Sequence, residues 1–304
     1  MTILRLILAG MILPLFFIGC ATAHSEGSTE PSRFDVQGHR GARGLLPENT
    51  IPAFLRALEL GVTTLEMDAV IAKDSTVVVS HEPWMSGVIC KRPDGKWVIN
   101  AKKHNIFAMT YDEVAQYDCG TRINPRFPRQ QKQKVAKPRL IDVIEAAESY
   151  AREHGLSPVQ YNIETKARPD WDGTFTPDPE TFTRLLYDVL VETGIKDRAI
   201  LQSFDVRTLR VGRRLDPSWR LALLISSDYN AGLAANLDTL GFTPAIYSPD
   251  YRLVDADLIR EAHERGMQII PWTVNTLKEM QRLKALGVDG LITDYPDIGV
   301  ALLD

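Results

Sequence analysis

The chain has 304 residues, 44% of them apolar, with 39 acidic against 35 basic side chains and a formal net charge of −4. This length allows one large domain with a substantial core, and the acidic balance excludes nucleic acid as an expected partner.

At the N-terminus Arg5 precedes a thirteen-residue apolar run from Leu6 to Ile18, followed by Gly19 and Cys20. A permanent transmembrane helix needs about 20 residues, whereas a run this short suits a cleaved export signal. Phe17-Ile-Gly-Cys20 looks like a bacterial lipobox. Residues 1–19 are therefore expected to be a lipoprotein-type signal peptide. Cys20 would be the lipidated first residue of a periplasmic, membrane-anchored protein, and simple secretion is the alternative. Residues 20–33 are small and polar with no apolar period, which predicts a flexible tether.

The body, 34–304, alternates apolar runs with helical stretches, as expected of a parallel α/β protein. Strands are expected at Phe34–Gln37, Thr63–Ile71, Thr76–Ser80, Val159–Lys166, Ala199–Phe204, Leu221–Ser226, Ala245–Asp250, Gln268–Asn275 and Gly290–Tyr295. Helices are expected at Ile51–Leu60, Ile141–His154, Pro179–Thr193, Val206–Asp216, Asn230–Leu240, Ala256–Arg265, Leu277–Leu286 and Pro296–Leu303. Nine strands exceed the eight of a TIM barrel. The surplus has a local cause, because only Ala72-Lys-Asp-Ser75 separates the second strand from the third. That link is too short for a crossover helix, so the two strands must form an antiparallel hairpin. A tip at Lys73 and Asp74 would set Glu66 opposite His81. Between residues 83 and 138 the rhythm stops, too long a gap for a plain loop. This insert is expected to cap the mouth of the barrel, with Cys90 and Cys119 bridged in an oxidising compartment; two buried thiols are the alternative. Its basic run, Arg126 to Arg139, either attracts phosphates or is a solvated face.

In a barrel covered by helices, polar side chains near strand ends must point inward. The parity of Thr64-Leu-Glu-Met-Asp68 sends Glu66 and Asp68 inward, and that of Tyr161 to Lys166 sends Glu164 with them. Three carboxylates at one mouth repel one another unless a cation or basic side chains intervene. An all-oxygen donor set suits Ca²⁺ or Mg²⁺; pairing with Arg40, Arg43 or Lys166 is the alternative. His39 and His81 come from neighbouring elements and are fitted to proton transfer. Arg40 and Lys166 offer donors to phosphate oxygens, and Phe204 and Trp272 could wall an alcohol group. Glu48 either orients Arg40 or His39 or serves the helix dipole.

Gln37-Gly-His-Arg-Gly-Ala-Arg-Gly-Leu-Leu-Pro-Glu-Asn-Thr50, read with Glu66-Met-Asp68, Ser80-His-Glu82 and Asn162-Ile-Glu-Thr-Lys166, resembles the glycerophosphodiester phosphodiesterase family from about residue 35 to the C-terminus. Gln202-Ser-Phe-Asp205, Trp272-Thr-Val-Asn275 and Thr293-Asp-Tyr-Pro296 add to the likeness, and Glu82 stands where the family usually has Asp. The resemblance implies a TIM (β/α)8 barrel of the PLC-like phosphodiesterase type. It further implies one divalent cation on Glu66, Asp68 and Glu164, with His39 and His81 as acid and base in either order. The implied reaction converts a small-molecule glycerophosphodiester to sn-glycerol 3-phosphate and an alcohol through a cyclic phosphate. Rival substrates are lyso- or intact phospholipids and wall polymers. The rival of another class is a non-catalytic head-group-binding lipoprotein.

Overall fold

The computed structural model describes residues 34–122 and 124–303. The expected signal peptide, the tether and Cys20 lie outside them. Among the described residues no helix is long and apolar enough to cross a membrane.

Alternation along the strands decides which face each side chain takes. In β2 (Thr64–Ile71) every residue is buried, as in a parallel strand covered on both faces. Leu65, Met67, Ala69 and Ile71 join the large apolar core beneath the helices, together with Tyr161 and Ile163 of β4 (Gln160–Thr165). The opposite parity fills the barrel. Asn162 donates to Gln37 Oε1 (2.7 Å) and Gln202 Oε1 (3.2 Å), while Ile200, Ala222, Ile246, Ile270 and Ile292 form a separate apolar plug.

The other parallel strands are β1 (Asp35–His39), β5 (Ala199–Ser203), β6 (Arg220–Ile225), β7 (Ile246–Pro249), β8 (Gln268–Ile269) and β9 (Gly290–Thr293). They run in the order β8-β7-β6-β5-β4-β2-β1-β9, and β3 (Val77–Val79) pairs antiparallel with β2. Three backbone bonds close the seam between the two ends: Asp289 N to Ile269 O, Ile292 N to Pro271 O and Val274 N to Ile292 O, all 2.9–3.0 Å. The result is the eight-stranded parallel barrel expected, plus the extra hairpin strand. β8 is far shorter than Gln268–Asn275, because Pro271 has no N–H to give a ladder.

Helices α1 (Ile51–Glu59), α3 (Leu140–Glu153), α4 (Pro179–Glu192), α5 (Val206–Leu215), α6 (Leu233–Leu240), α7 (Ala256–Glu264) and α8 (Leu277–Leu286) follow the expected spans closely. Side chains of Thr50, Asp178, Asp205, Asp255 and Thr276 cap five of them by accepting from backbone N–H groups of the first turn. α6 starts at Leu233, later than Asn230, because Asn230 Oδ1 accepts the Gly232 N–H (2.9 Å) in a turn of its own. The last helix, α9 (Pro296–Gly299), gives way to a 3₁₀ turn.

Two features of the connection after β2 differ from expectation. The tip is a three-residue turn, Lys73-Asp74-Ser75, with Ser75 at φ 66° and Ala72 N bonded to Thr76 O (2.9 Å). The ladder therefore sets Ala69 against Val79, and Ser80 N reaches Asp68 O (2.9 Å), one step from the register that would oppose Glu66 to His81. Pairing ends at Ser80, so His81 is free of the sheet parity and still turns into the mouth.

Segment 83–138 has its own small core of Met85, Ile89, Cys90, Val98, Ile106, Val114 and Cys119, packed on Val70, Ala72 and Val78 of the hairpin. Cys90 and Cys119 are bonded, and one helical turn, α2 (Tyr111–Val114), carries a capping box of Thr110 and Glu113. Gln130 Nε2 donates to Arg43 O (2.7 Å) and Leu46 O (3.1 Å), which braces the segment on the loop after β1.

Candidate active site

Strand ends and the turns leaving them build the mouth. β1 delivers His39, and the next two residues take left-handed backbone, Arg40 at φ 52° and Gly41 at φ 81°. A Cβ on Gly41 would stand 2.6 Å from the Ala53 carbonyl carbon, so glycine is required where this turn meets α1. The strained turn aims the Arg40 backbone N–H at Glu66 Oε2 (2.9 Å). Asn49, also left-handed at φ 56°, donates from Nδ2 to Asp68 Oδ2 (2.8 Å) and accepts the Asp68 N–H (3.3 Å).

Parallel register places His39 beside Glu66, Glu66 beside Asn162, and Asp68 beside Glu164. One carboxylate oxygen from each of Glu66, Asp68 and Glu164 lies within 4.8 Å of the other two. Basic groups approach the same acids. Arg40 Nε is 3.1 Å from Asp68 Oδ2, though its N–H is not aimed at that oxygen, and Nη1 donates to Glu48 Oε1 (2.9 Å). Lys166 Nζ donates to Glu164 Oε1 (2.7 Å) and stands 3.8 Å from Asp68 Oδ1. Gln202 Nε2 donates to Glu66 Oε1 (2.6 Å). The acids converge as expected, and two basic side chains, Arg40 and Lys166, reach them.

The acids do not share the charge evenly. Burial, then the Asp68 carboxylate, push Glu66 well above the carboxylate range, and burial raises Glu164 to about 7 against the pull of Lys166. Burial would raise Asp68 too, but Arg40, His81 and Lys166 outweigh it and keep that group ionised. Among the described residues Asp68 Oδ1 is a buried acceptor without a hydrogen-bond donor. Three converging carboxylates, two of them held back from ionising chiefly by burial and one, Asp68, ionised, fit a hard divalent cation.

His39 Nδ1 lies 2.7 Å from Asp294 Oδ1, and its Nε2 faces the cleft, 3.9 Å from Glu66 Oε2. Arg43 grips Asp294 with two bonds (2.6 and 3.0 Å), and Asn275 Nδ2 adds a third (2.7 Å). Burial opposes ionisation of Asp294, but His39 and Arg43 hold it far below the carboxylate range. Burial, followed by the Arg43 cation, pushes His39 down to about 4 although Asp294 pulls the other way. The consistent state is a neutral imidazole that donates from Nδ1–H to an ionised Asp294 and turns the Nε2 lone pair to the cleft. His81 Nδ1 lies 3.0 Å from Glu82 Oε1, and burial, with Lys166 and Arg40, lowers its pKa as well.

Both histidines, Glu66, Glu164, Arg40 and Lys166 line a cleft of about 260 Å³, walled further by Arg126, Phe204 and Trp272. Phe204 and Trp272 meet edge to face, ring centroids 5.4 Å apart. A larger chamber of about 760 Å³ adjoins it, sharing His81, Glu164, Lys166 and Phe204 and adding Trp84, Lys102, Trp171 and Tyr229. Glu48 meets Arg40 rather than His39, and Arg43 Nη1 is 3.8 Å from its other oxygen. Of the basic run, Arg126 faces the cleft, while Arg129 and Arg139 pair with Asp297 and Asp142. From the sequence Asp294, Asn275, Gln202 and Asn49 carry no assigned role, and Arg43 only that of an alternative partner for the three acids. Gln202 and Asp294 stand at strand ends, where the signal was available, whereas Arg43 and Asn49 lie in the loop after β1 and Asn275 beyond β8.

A model of the family described as "Glycerophosphoryl diester phosphodiesterase family" matches residues 39–298. A Bacillus subtilis (strain 168) protein named glycerophosphodiester phosphodiesterase is 26% identical over 301 residues, covering 97% of this chain and 96% of its own. A solved structure from Silicibacter pomeroyi DSS-3 is 28% identical with a TM-score of 0.79, covering 90% of this chain and 94% of that one. An Oleispira antarctica phosphodiesterase, solved in complex with the product sn-glycerol-3-phosphate, shares the fold at 21% identity and a TM-score of 0.70, over 89% and 96% of the two chains.

Proposed function

The chain belongs to the glycerophosphoryl diester phosphodiesterase family, and from that membership we propose that it hydrolyses glycerophosphodiesters to sn-glycerol 3-phosphate and an alcohol by two-histidine acid/base catalysis. The observation that carries this reading is the His39–Asp294 pair set directly beside three converging carboxylates. Glu66, Asp68 and Glu164 would hold one Ca²⁺ or Mg²⁺, which when bound supplies charge stabilisation at a phosphoryl oxygen. Arg40 and Lys166 donate to the phosphate, and Arg126 adds positive potential from the insert side. His39 Nε2 takes the proton of the glycerol hydroxyl as its oxygen bonds to phosphorus. The bond from phosphorus to the alcohol oxygen breaks, and that oxygen leaves with a proton from His81. Water then opens the cyclic phosphate, with the two histidines exchanging roles.

This assignment of base and acid rests on placement. His39 lines only the inner cleft, whereas His81 lines both the cleft and the outer chamber, through which the alcohol departs. Kinetics with two diesters test it, one with an ordinary alcohol and one with an acidic phenol that leaves without protonation. His81→Asn should lose on the order of 10² to 10⁴ in kcat for the alcohol and far less for the phenol, while His39→Asn should lose similarly for both. Equal losses for the two substrates in His81→Asn would remove the acid role. The 760 Å³ outer chamber also favours a second reading, in which the departing group is a bulky lyso- or intact lipid or a wall-polymer unit. We further propose export, with residues 1–19 removed and Cys20 lipidated. Loss of labelled-lipid incorporation in Cys20→Ala is the expected outcome.

A further inference from the structure

Charge is distributed unevenly along the chain. Segment 83–138 holds eleven lysines and arginines against four acids, whereas the whole chain holds 35 against 39, so the remainder carries 24 against 35. At one place in this basic segment apolar side chains also face outward. Residues 90–99 form a small hairpin turned at Gly95 (φ 79°), with Arg92 N bonded to Lys96 O (2.8 Å) and Val98 N to Cys90 O (3.4 Å). Alternation along its second arm buries Val98 in the segment's core and turns Trp97 and Ile99 out, 47% and 73% exposed. Val88, 46% exposed, joins them, since Gly87 packs against the Val98 carbonyl. Cations frame the ring: Lys91 Nζ lies 5.0 Å from the Trp97 centroid and the Arg122 guanidinium 4.6 Å, with Arg122 also donating to Gly87 O.

We propose that this hairpin docks on a bilayer surface rich in anionic phospholipid. An aromatic ring with aliphatic neighbours is suited to the headgroup and acyl boundary, and flanking lysines and arginines are suited to the negative leaflet around it. A symmetric contact with a second copy would set this basic face against itself, whereas an anionic leaflet complements it. Lys102, three residues beyond Ile99, lines the outer chamber, so docking brings that chamber to the membrane. The inference is independent of the hydrolytic reading and would survive its failure.

Tryptophan emission of the full-length protein on phosphatidylglycerol vesicles with brominated acyl chains tests it. Bromine quenches a ring that reaches the acyl layer, so the wild type should be quenched and Trp97→Phe should lose most of that quenching. This holds even where residues before 34 also retain the chain on the vesicle. Lys96→Glu with Lys91→Glu should weaken partitioning by about fivefold per cation removed, and salt should weaken it in the wild type. Equal quenching in Trp97→Phe, or equal quenching on phosphatidylcholine, overturns the proposal. So does a change of sedimentation in Trp97→Phe without lipid, which would make the face a contact between copies.

Discussion

A base must present its lone pair to the substrate before the reaction begins, and for His39 that orientation is set by Asp294. The carboxylate accepts Nδ1–H at 2.7 Å and is itself fixed by Arg43 and Asn275. Replacing it with Asn lets an amide donate to Nδ1, which moves the proton to Nε2 and removes the lone pair from the cleft. Asp294→Asn is expected to lower kcat by on the order of 10² to 10⁴ with little change in KM, read from steady-state kinetics with a soluble diester. A variant with near-normal kcat would show that His39 does not need this partner. Residues were legible in the sequence to unequal depth. Parity alone brought Glu66, Asp68 and Glu164 to one mouth, because strand alternation is a local rule. The pairing of His39 with Asp294 spans 255 positions and joins the first strand to the last, so nothing local reveals it.

Elements show the same limit at the hairpin. That β2 must turn back was legible from the length of the link, but the register was not, because it depends on whether two or three residues make the tip. Ser75 takes the left-handed position of a three-residue turn at φ 66°, a conformation that L-residues other than Asn and Asp enter at a cost and glycine enters freely. Ser75→Gly should therefore raise stability by up to about 1 kcal/mol in urea unfolding, with activity unchanged. Destabilisation would mean that the extra freedom of glycine in the unfolded chain outweighs the relieved strain. The eight-stranded order was legible for a different reason, since each helix between two apolar runs forces a parallel crossover. The length of β8 was not legible, because Pro271 breaks the ladder after two residues, and closure then depends on three separate backbone bonds along the seam with β9.

At the scale of the whole molecule, the buried acids tie stability to pH and to cations. Glu164 is raised to about 7 and Glu66 is raised as well, so without a bound cation the folded protein holds protons that the unfolded chain, with glutamates near 4.3, releases earlier. A raised acid contributes stability that is complete below about 4.3 and is lost as pH climbs through about 7. For Glu164 alone the loss is about 4 kcal/mol at full ionisation. His39, pushed down to about 4, has the opposite slope, since the unfolded chain takes its proton first as pH falls from about 6.5. Absolute melting temperatures against pH therefore mix opposing contributions, and the difference between melts with Ca²⁺ or Mg²⁺ and melts with chelator separates them. A cation requires the ionised carboxylates and displaces their protons. The stabilisation it gives should be small near pH 5, where Glu164 keeps its proton, and should grow as pH rises through about 7. Glu164→Gln should flatten that growth, because one of the two displaced protons is no longer there. A cation-induced shift in melting temperature that stays constant from pH 5 to pH 8 would mean that the ion does not bind at these carboxylates. The three acids would then be held by Arg40 and Lys166 alone.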